Sequence, residues 1–315
     1  MIKKLKVLLL STVVSVASWG CAKDNNVSTK ENYKISLILD EGGVNDQSFN
    51  QSSWEGALSA KEKYNVEVNY IESKSESEYL SNVETAIDQD SDLIIGVGFK
   101  LTDTIEEAAK AYPQQRFAII DGTYEEIPSN VQSILFNEEE AGYAVGLIAS
   151  KMTESNVLGF IGGMEIPSVT GFKIGFEKAL KEENKDIKLL TQYANSFTDA
   201  AKGKAIAQNM IKDNADIVFT AGGGVNAGAW EACVENNIKA IGVDMPSSQF
   251  APNTIITSAL KNVGIGVELT IKDLVENKFE GGKVKMFDLS NGGVGYELTD
   301  LIPGDVVDIV ESKIK

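Results

Sequence analysis

The chain has 315 residues, with 46 acidic and 29 basic side chains, a formal net charge of −17 and no histidine. The acidic balance repels nucleic acid and anionic lipid surfaces over a Debye length, and the missing imidazole excludes Ser-His-Asp and Cys-His catalysis and the HExxH zinc site. Two cysteines, Cys21 and Cys233, supply neither a disulfide framework nor zinc-site spacing, so no metal is expected.

Residues 1–20 read as an export leader: Lys3, Lys4 and Lys6 make a positive start, and Val7 to Ala17 a short apolar run. That run falls short of the roughly 20 residues a membrane-spanning helix needs. It ends in Ser18-Trp19-Gly20-Cys21, a small residue before a cysteine as in the lipobox of bacterial lipoproteins, although Ser18 and Trp19 depart from the usual residues there. Lipidation at Cys21 is expected, with residues 21–33 as a polar tether and the protein held outside the cytoplasm on the cell membrane. The bland alternative is an incidental thiol behind an ordinary secretory leader. Cys233 is then unpaired, a small side chain buried on a helix.

From Lys34 onward short apolar runs alternate with amphipathic segments. Strands are predicted at Ile35–Leu39, Val66–Ile71, Leu93–Val97, Phe117–Ile120 and Val131–Leu135, with helices near Gln51–Lys63, Tyr79–Gln89 and Thr104–Ala111 between them. Both strand faces are apolar, as a sheet covered by helices on both sides requires. A long helix at about Glu138–Lys151 leads into a second series. Its strands are Val157–Ile161, Lys188–Gln192, Ile217–Thr220 and Ala240–Val243, alternating with helices near Thr170–Glu183, Asp199–Asp213 and Ala227–Asn236. The tail adds Ile255–Ala259, a helix at about Val263–Asn277, strands near Val284–Leu289 and Gly295–Glu297, and a closing helix from Pro303. The pattern is α/β, one doubly wound unit built twice. The expected partition puts 34–137 and about 248–280 in an N-terminal lobe, and 138–247 and about 281–315 in a C-terminal lobe.

Ligands of open α/β sheets bind beyond the carboxyl ends of the strands. Asp40, Gly98, Phe99, Asp121, Gly162, Gly222 to Gly224 and Asp244 all stand directly after predicted strands. Two lobes with facing strand ends would gather them into one cleft. The first loop runs Asp40-Glu41-Gly42-Gly43-Val44-Asn45-Asp46-Gln47-Ser48-Phe49-Asn50-Gln51. Asp46 and Ser48 suit either a helix cap or a ligand contact. Capping does not account for Phe49, a large apolar residue in a polar loop, which fits an aromatic platform for a flat ring. Asp121 reads equally well as a turn cap, and Lys261 by itself as a surface lysine. Trp54 and Trp230 fit packing roles, and Glu138-Glu139-Glu140 complements a helix dipole.

This loop resembles the opening signature of the basic membrane protein (Bmp) family, lipoproteins that include bacterial purine-nucleoside receptors feeding ABC transporters. Further matching stretches are Gly96-Val97-Gly98-Phe99, Ala118-Ile119-Ile120-Asp121-Gly122, Phe136-Asn137-Glu138-Glu139-Glu140-Ala141-Gly142-Tyr143, Gly159-Phe160-Ile161-Gly162-Gly163, Ser196-Phe197-Thr198-Asp199, Gly242-Val243-Asp244 and Ser258-Ala259-Leu260-Lys261. The resemblance covers Lys34 to Lys315. It implies a type I periplasmic-binding-protein fold, two doubly wound parallel-sheet lobes joined by three hinge crossings. A nucleoside would sit between the lobes and an ABC permease would be the partner; a monomer without cofactor or catalytic step is expected. The resemblance further implies Phe49 and Phe197 on the two faces of the base, Asp40 and Asn50 at its edges with Asp46 beside them, and Asp244 and Lys261 on the ribose. Gly222, Gly224 and Val225 would lie close by. Lys261 would also neutralise Asp244, so that neither charge is buried alone.

A competing reading comes from Gly222-Gly223-Gly224-Val225-Asn226-Ala227. It fits the dinucleotide fingerprint between a predicted strand and helix, with Asp244 about 20 residues on. The leader and the missing histidine weigh against an NAD-dependent oxidoreductase. A sugar or signal-molecule receptor of the same fold is the nearer alternative, because those sites also use aromatics and carboxylates.

Overall fold

The computed structural model describes residues 32–183 and 186–314. The leader, Cys21 and most of the expected tether lie outside the described residues. The first series comprises β1 (Lys34–Leu39), α1 (Phe49–Tyr64), β2 (Glu67–Glu72), α2 (Tyr79–Asp88), β3 (Leu93–Val97), α3 (Thr102–Ala111), β4 (Arg116–Ile120) and β5 (Val131–Phe136). The second comprises α4 (Glu138–Met152), β6 (Val157–Gly162), α5 (Pro167–Glu183), β7 (Lys188–Tyr193), α6 (Ala200–Lys212), β8 (Ile217–Ala221), α7 (Val225–Glu235), β9 (Lys239–Asp244) and β10 (Ile255–Lys261). The chain ends with α8 (Val263–Val275), β11 (Lys283–Phe287), β12 (Val294–Tyr296) and α9 (Gly304–Lys313).

Two sheets result, ordered β11-β5-β4-β3-β1-β2 and β12-β10-β9-β8-β6-β7. Within each series the strands take the same spatial order, so the doubled unit expected from the sequence is the architecture. All pairings are parallel except β10 with β12. The central strands are buried along their length, Leu93–Val97 and Ile217–Ala221 included, because helices cover both faces. In each sheet the order reverses beside the first strand, at β1/β3 and at β6/β8. This is where a doubly wound sheet opens a crevice.

The expected partition of the tail needs correction. β10 pairs with β9 and belongs to the second sheet, whereas β11 pairs with β5 in the first. The chain therefore crosses between lobes after Phe136, after Lys261 and after Phe287. A strand's partner is chosen by register and burial across the sheet, which the period of a single segment does not encode. The three crossings are laced together: Asn137 N–H donates to Phe287 O at 2.8 Å, Asn262 N–H to Gly293 O at 2.8 Å, and Leu289 N–H to the Glu140 carboxylate at 2.7 Å.

Glycines let the covering helices touch backbone to backbone. A Cβ on Gly175 in α5 would sit 1.9 Å from Glu139 O in α4, and one on Gly56 in α1 would sit 2.1 Å from Gly264 O in α8. The second contact fastens the returning helix to the first lobe. Gly175→Ala must push α5 off α4, at a cost of about 1–3 kcal/mol or more. A urea midpoint unchanged from wild type would contradict this.

Candidate functional site

The strand ends of the two lobes face one cavity. The first lobe contributes Asp40, Phe49, Asn50, Gly98, Phe99 and Asp121, and the second Ile166, Ser168, Phe197, Gly222, Gly223 and Asp244, with Lys261 from the second crossing. Asp121, directly after β4, and Asp244, closing β9, stand at corresponding strand ends, and both adopt left-handed backbone, with φ of 61° and 65°. Aspartate tolerates that conformation better than most residues. The Asp244 loop is further held by Glu297, which accepts from Ser247 N–H at 3.0 Å and Ser258 Oγ at 2.7 Å.

The first loop divides its acidic residues between two tasks. Asp46 accepts from the N–H groups of Ser48, Asn50 and Gln51 at 2.9–3.0 Å, which makes it the cap of α1. Burial nonetheless pushes its carboxyl up, against those hydrogen bonds. The Ser48 hydroxyl turns away from the helix and donates to Asp244 Oδ2 across the cleft. Asp40 Oδ1 accepts from Gly42 N–H at 3.0 Å and from Asn50 Nδ2 at 2.8 Å. A carboxylate only accepts, so this bond fixes the amide's orientation. It leaves Asn50 Oδ1 buried with no partner among the described residues.

Four aromatic rings line the cavity, Phe49, Phe99, Phe172 and Phe197. Phe49 opens α1, and Phe197 follows β7 from the other lobe. Gly163 makes room for the latter, since a Cβ there would lie 2.4 Å from the Phe197 ring. Phe99 meets Phe197 edge-on, with centroids 6.4 Å apart at 60°. The strand-end rule named Phe99 without assigning it a role, and its ring lies in the cavity beside those of Phe49 and Phe197.

Lys261 is the electrostatic centre. It is 2% exposed, and its Nζ donates to both Asp121 oxygens at 2.7 and 2.6 Å and to Glu138 Oε1 at 2.7 Å. It also lies 5.3 Å from the Phe49 ring centroid and 5.2 Å from that of Phe136, within cation–π range. Burial alone would depress this ammonium, but Asp121 and Glu138 hold it above the ordinary lysine value. The expected direct pairing of Lys261 with Asp244 is thus replaced by Asp121 and Glu138, while Asp244 pairs with Ser48. Nor is Lys261 a surface lysine. Burial pushes the Glu138 carboxyl up to about 7, with Lys261 opposing and Asp121 adding to the rise. Asp244 is pushed up to about 6 by burial, again with Lys261 opposing.

The glycine-rich turn is only partly where the sequence placed it. Gly222 and Gly223 line the cavity, with φ +57° at Gly223. Gly224 instead borders a neighbouring recess with Asn45, Gln47 and Thr198. Val225 is buried in the crossing of α7 with α6, its carbonyl where a Cβ of Gly203 would be. Two of the turn's amides are also spent, Gly222 N–H on Asn226 Oδ1 at 2.9 Å and Gly224 N–H on Phe197 O at 2.8 Å. A dinucleotide pyrophosphate would need those donors free.

Outside the cavity, Trp54 packs edge-on against Tyr70. Trp230 stacks on Phe250 and donates to Thr220 Oγ1 at 2.9 Å. Cys233 is buried in α7, and burial pushes its thiol up to about 12, which leaves it unreactive.

The family profile described as ABC transporter substrate-binding protein PnrA-like (Bmp) matches residues 33–314. Basic membrane protein A of Borreliella burgdorferi is 38% identical over 92% of this chain and 86% of its own length. The ABC transporter nucleoside-binding protein BmpA of Lactococcus lactis subsp. cremoris is 34% identical over 98% and 96%. Among solved structures, an ABC transporter system solute-binding protein from Aeropyrum pernix K1 superposes with a TM-score of 0.79 at 30% identity, covering 89% of this chain and 85% of that one.

Proposed function

Because this chain belongs to the Bmp, or PnrA-like, family of ABC transporter substrate-binding proteins, we propose that it captures nucleosides, purine nucleosides foremost, in the interlobe cavity and delivers them to an ABC permease. The observation that carries the reading is that Phe49 and Phe197, from opposite lobes, line one cavity together with hydrogen-bonding groups from both lobes. A flat heterocycle between two rings gains stacking on each face, worth about 1–3 kcal/mol per base. Asp40 and the unpartnered Asn50 Oδ1 are acceptors from the first lobe, which suits the exocyclic amino and ring N–H donors of purines. From the second lobe the Asp244 carboxylate suits vicinal sugar hydroxyls, as acidic residues do in dinucleotide folds.

Closure follows from the same arrangement. Contacts made to one ligand by both lobes exist only when the lobes are together, so binding shifts the population toward the closed form that a permease recognises. Free nucleosides are favoured over nucleotides, because the cavity is lined by the carboxylates of Asp40, Asp46, Asp121 and Asp244 against a single lysine, Lys261. We place the anchor at Cys21, outside the described residues; substrate-binding proteins of ABC importers work outside the cytoplasmic membrane. No helix among the described residues is long and apolar enough to cross a membrane.

Calorimetry with adenosine, guanosine, inosine, cytidine, uridine and ribose tests the proposal. Purine nucleosides should bind most tightly, and binding of ribose alone would replace the reading with a sugar receptor. Phe197→Ala should weaken nucleoside binding about 10-fold or more; an unchanged affinity removes Phe197 from the site.

A further inference from the structure

Ser48 stands where a helix takes its cap. It is the residue before α1, and a serine there ordinarily accepts a first-turn backbone N–H through its side chain. Here the hydroxyl makes no such bond. Asp46, two residues earlier, accepts from the N–H groups of Ser48, Asn50 and Gln51 in its stead. The chain enters Ser48 through a left-handed turn at Gln47, φ 55°, a conformation uncommon for a residue other than glycine. From there the hydroxyl donates to Asp244 Oδ2, 196 residues away in the chain and on the other lobe.

The two partners of this bond differ in their access to the ligand. Asp244 lines the cavity; Ser48 is fully buried and does not. The hydroxyl therefore reaches the cavity only through the carboxylate it holds. A carboxylate offers about four lone-pair sites, so one bond from Ser48 leaves it able to accept from a ligand as well. Burial pushes the Asp244 carboxyl up to about 6; Lys261 and Ser48 oppose the rise, while Asp46 and Asp121 add to it. Lys261 acts from a distance, its Nζ bonded to Asp121 and Glu138, whereas Ser48 donates directly.

We infer that Ser48 is a positioning residue for ligand capture: from the first lobe its hydroxyl fixes the Asp244 carboxylate of the second for accepting the ligand's hydroxyls, and does so only when the lobes are together. The inference rests on the nucleoside reading above. It also gives the first loop a division of labour, with Asp46 holding the helix so that Ser48 can hold the opposite lobe.

The test is calorimetry with adenosine on the full chain and on Ser48→Ala, each at pH 6 and pH 8.5. Removing a donor to the ionised carboxylate raises the Asp244 value further, so more of the group is protonated at pH 6. Adenosine should bind Ser48→Ala about 10-fold more weakly than wild type at pH 6, and by a clearly smaller factor at pH 8.5, where Asp244 is ionised in both. The cap of α1 survives the change, because Asp46 supplies it. In Asp244→Asn, which does not ionise, adding Ser48→Ala should weaken binding equally at the two pH values and by less than in the wild-type background. A Ser48→Ala deficit equal at pH 6 and pH 8.5 would show a packing role and overturn the inference, as would an unchanged affinity at both. A pH-dependent deficit of the same size in Asp244→Asn would overturn it too, by assigning the effect to Asp46 or Glu138. Each of these results leaves the nucleoside reading standing. Failure of the wild type to bind any nucleoside of the panel above would remove that reading and the inference together.

Discussion

Replacing Lys261 with Met should lower the free energy of unfolding at neutral pH by about 3–5 kcal/mol, the usual cost of removing one partner of a buried ion pair. Methionine fills nearly the same space but leaves the Asp121 and Glu138 carboxylates facing one another without a cation. The loss should depend on pH, with a definite sign. Glu138 has a folded value near 7 against an ordinary 4.5, so the native state takes up a proton between them. Stability from this group is fully present below about 4.5 and is lost as pH rises through about 7. Without Lys261 the folded value rises further, and the deficit of the variant should shrink on acidification. Urea unfolding of both proteins at pH 7.5 and pH 5 measures this; a deficit equal at the two pH values would refute the account. Ligand affinity should fall in parallel, since Asp121 and the crossing that carries Lys261 both border the cavity.

Asp244→Asn should weaken nucleoside binding about 10- to 100-fold, the range for losing hydrogen bonds to a charged group. It should also abolish a pH dependence. In the free protein Asp244 titrates near 6, held there by burial and faced by Lys261, Ser48, Asp46 and Asp121. Hydroxyls that donate to its ionised form lower that value in the complex. Affinity should therefore be level above about pH 7 and fall as pH drops through 6, by up to 10-fold per unit for one linked proton. Folding stability moves the opposite way at this residue: its contribution is full below 3.8 and is lost as pH rises through about 6. Acidification thus favours the empty fold while loosening the ligand. Any pH dependence that survives in Asp244→Asn belongs to Glu138 or Asp46, whose carboxyls burial also pushes up. A wild-type-like pH profile in the variant would exclude Asp244 from the site.

The parts of this molecule that were legible in its sequence are those set by local pattern. Strands in both series begin within one residue of their expected positions, because apolar runs bounded by polar loops define them without reference to distant chain. The strand-end rule brought Asp40, Gly98, Phe99, Asp121, Gly222 and Asp244 to one cavity for the same reason. Partner choice across long separations was not legible. Lys261 finds Asp121 and Glu138 at 140 and 123 residues' distance, and nothing in Glu138-Glu139-Glu140 distinguishes the glutamate that meets the lysine from the one that holds Leu289 N–H. Sheet membership of β10 and β11 fails for the same cause. Asp46 shows the converse: its spacing before the helix allowed capping, and three backbone donors commit it there.

Lys261 serves as both a wall of the cavity and a fastening of the second crossing. Evolution therefore has little freedom at this position, because any change that retunes ligand preference there also threatens the architecture. Thr123 and Asp103, exposed in the groove that Asp121 also borders, carry no such double duty. Substitutions there should be tolerated far better than at the lysine and its two carboxylates.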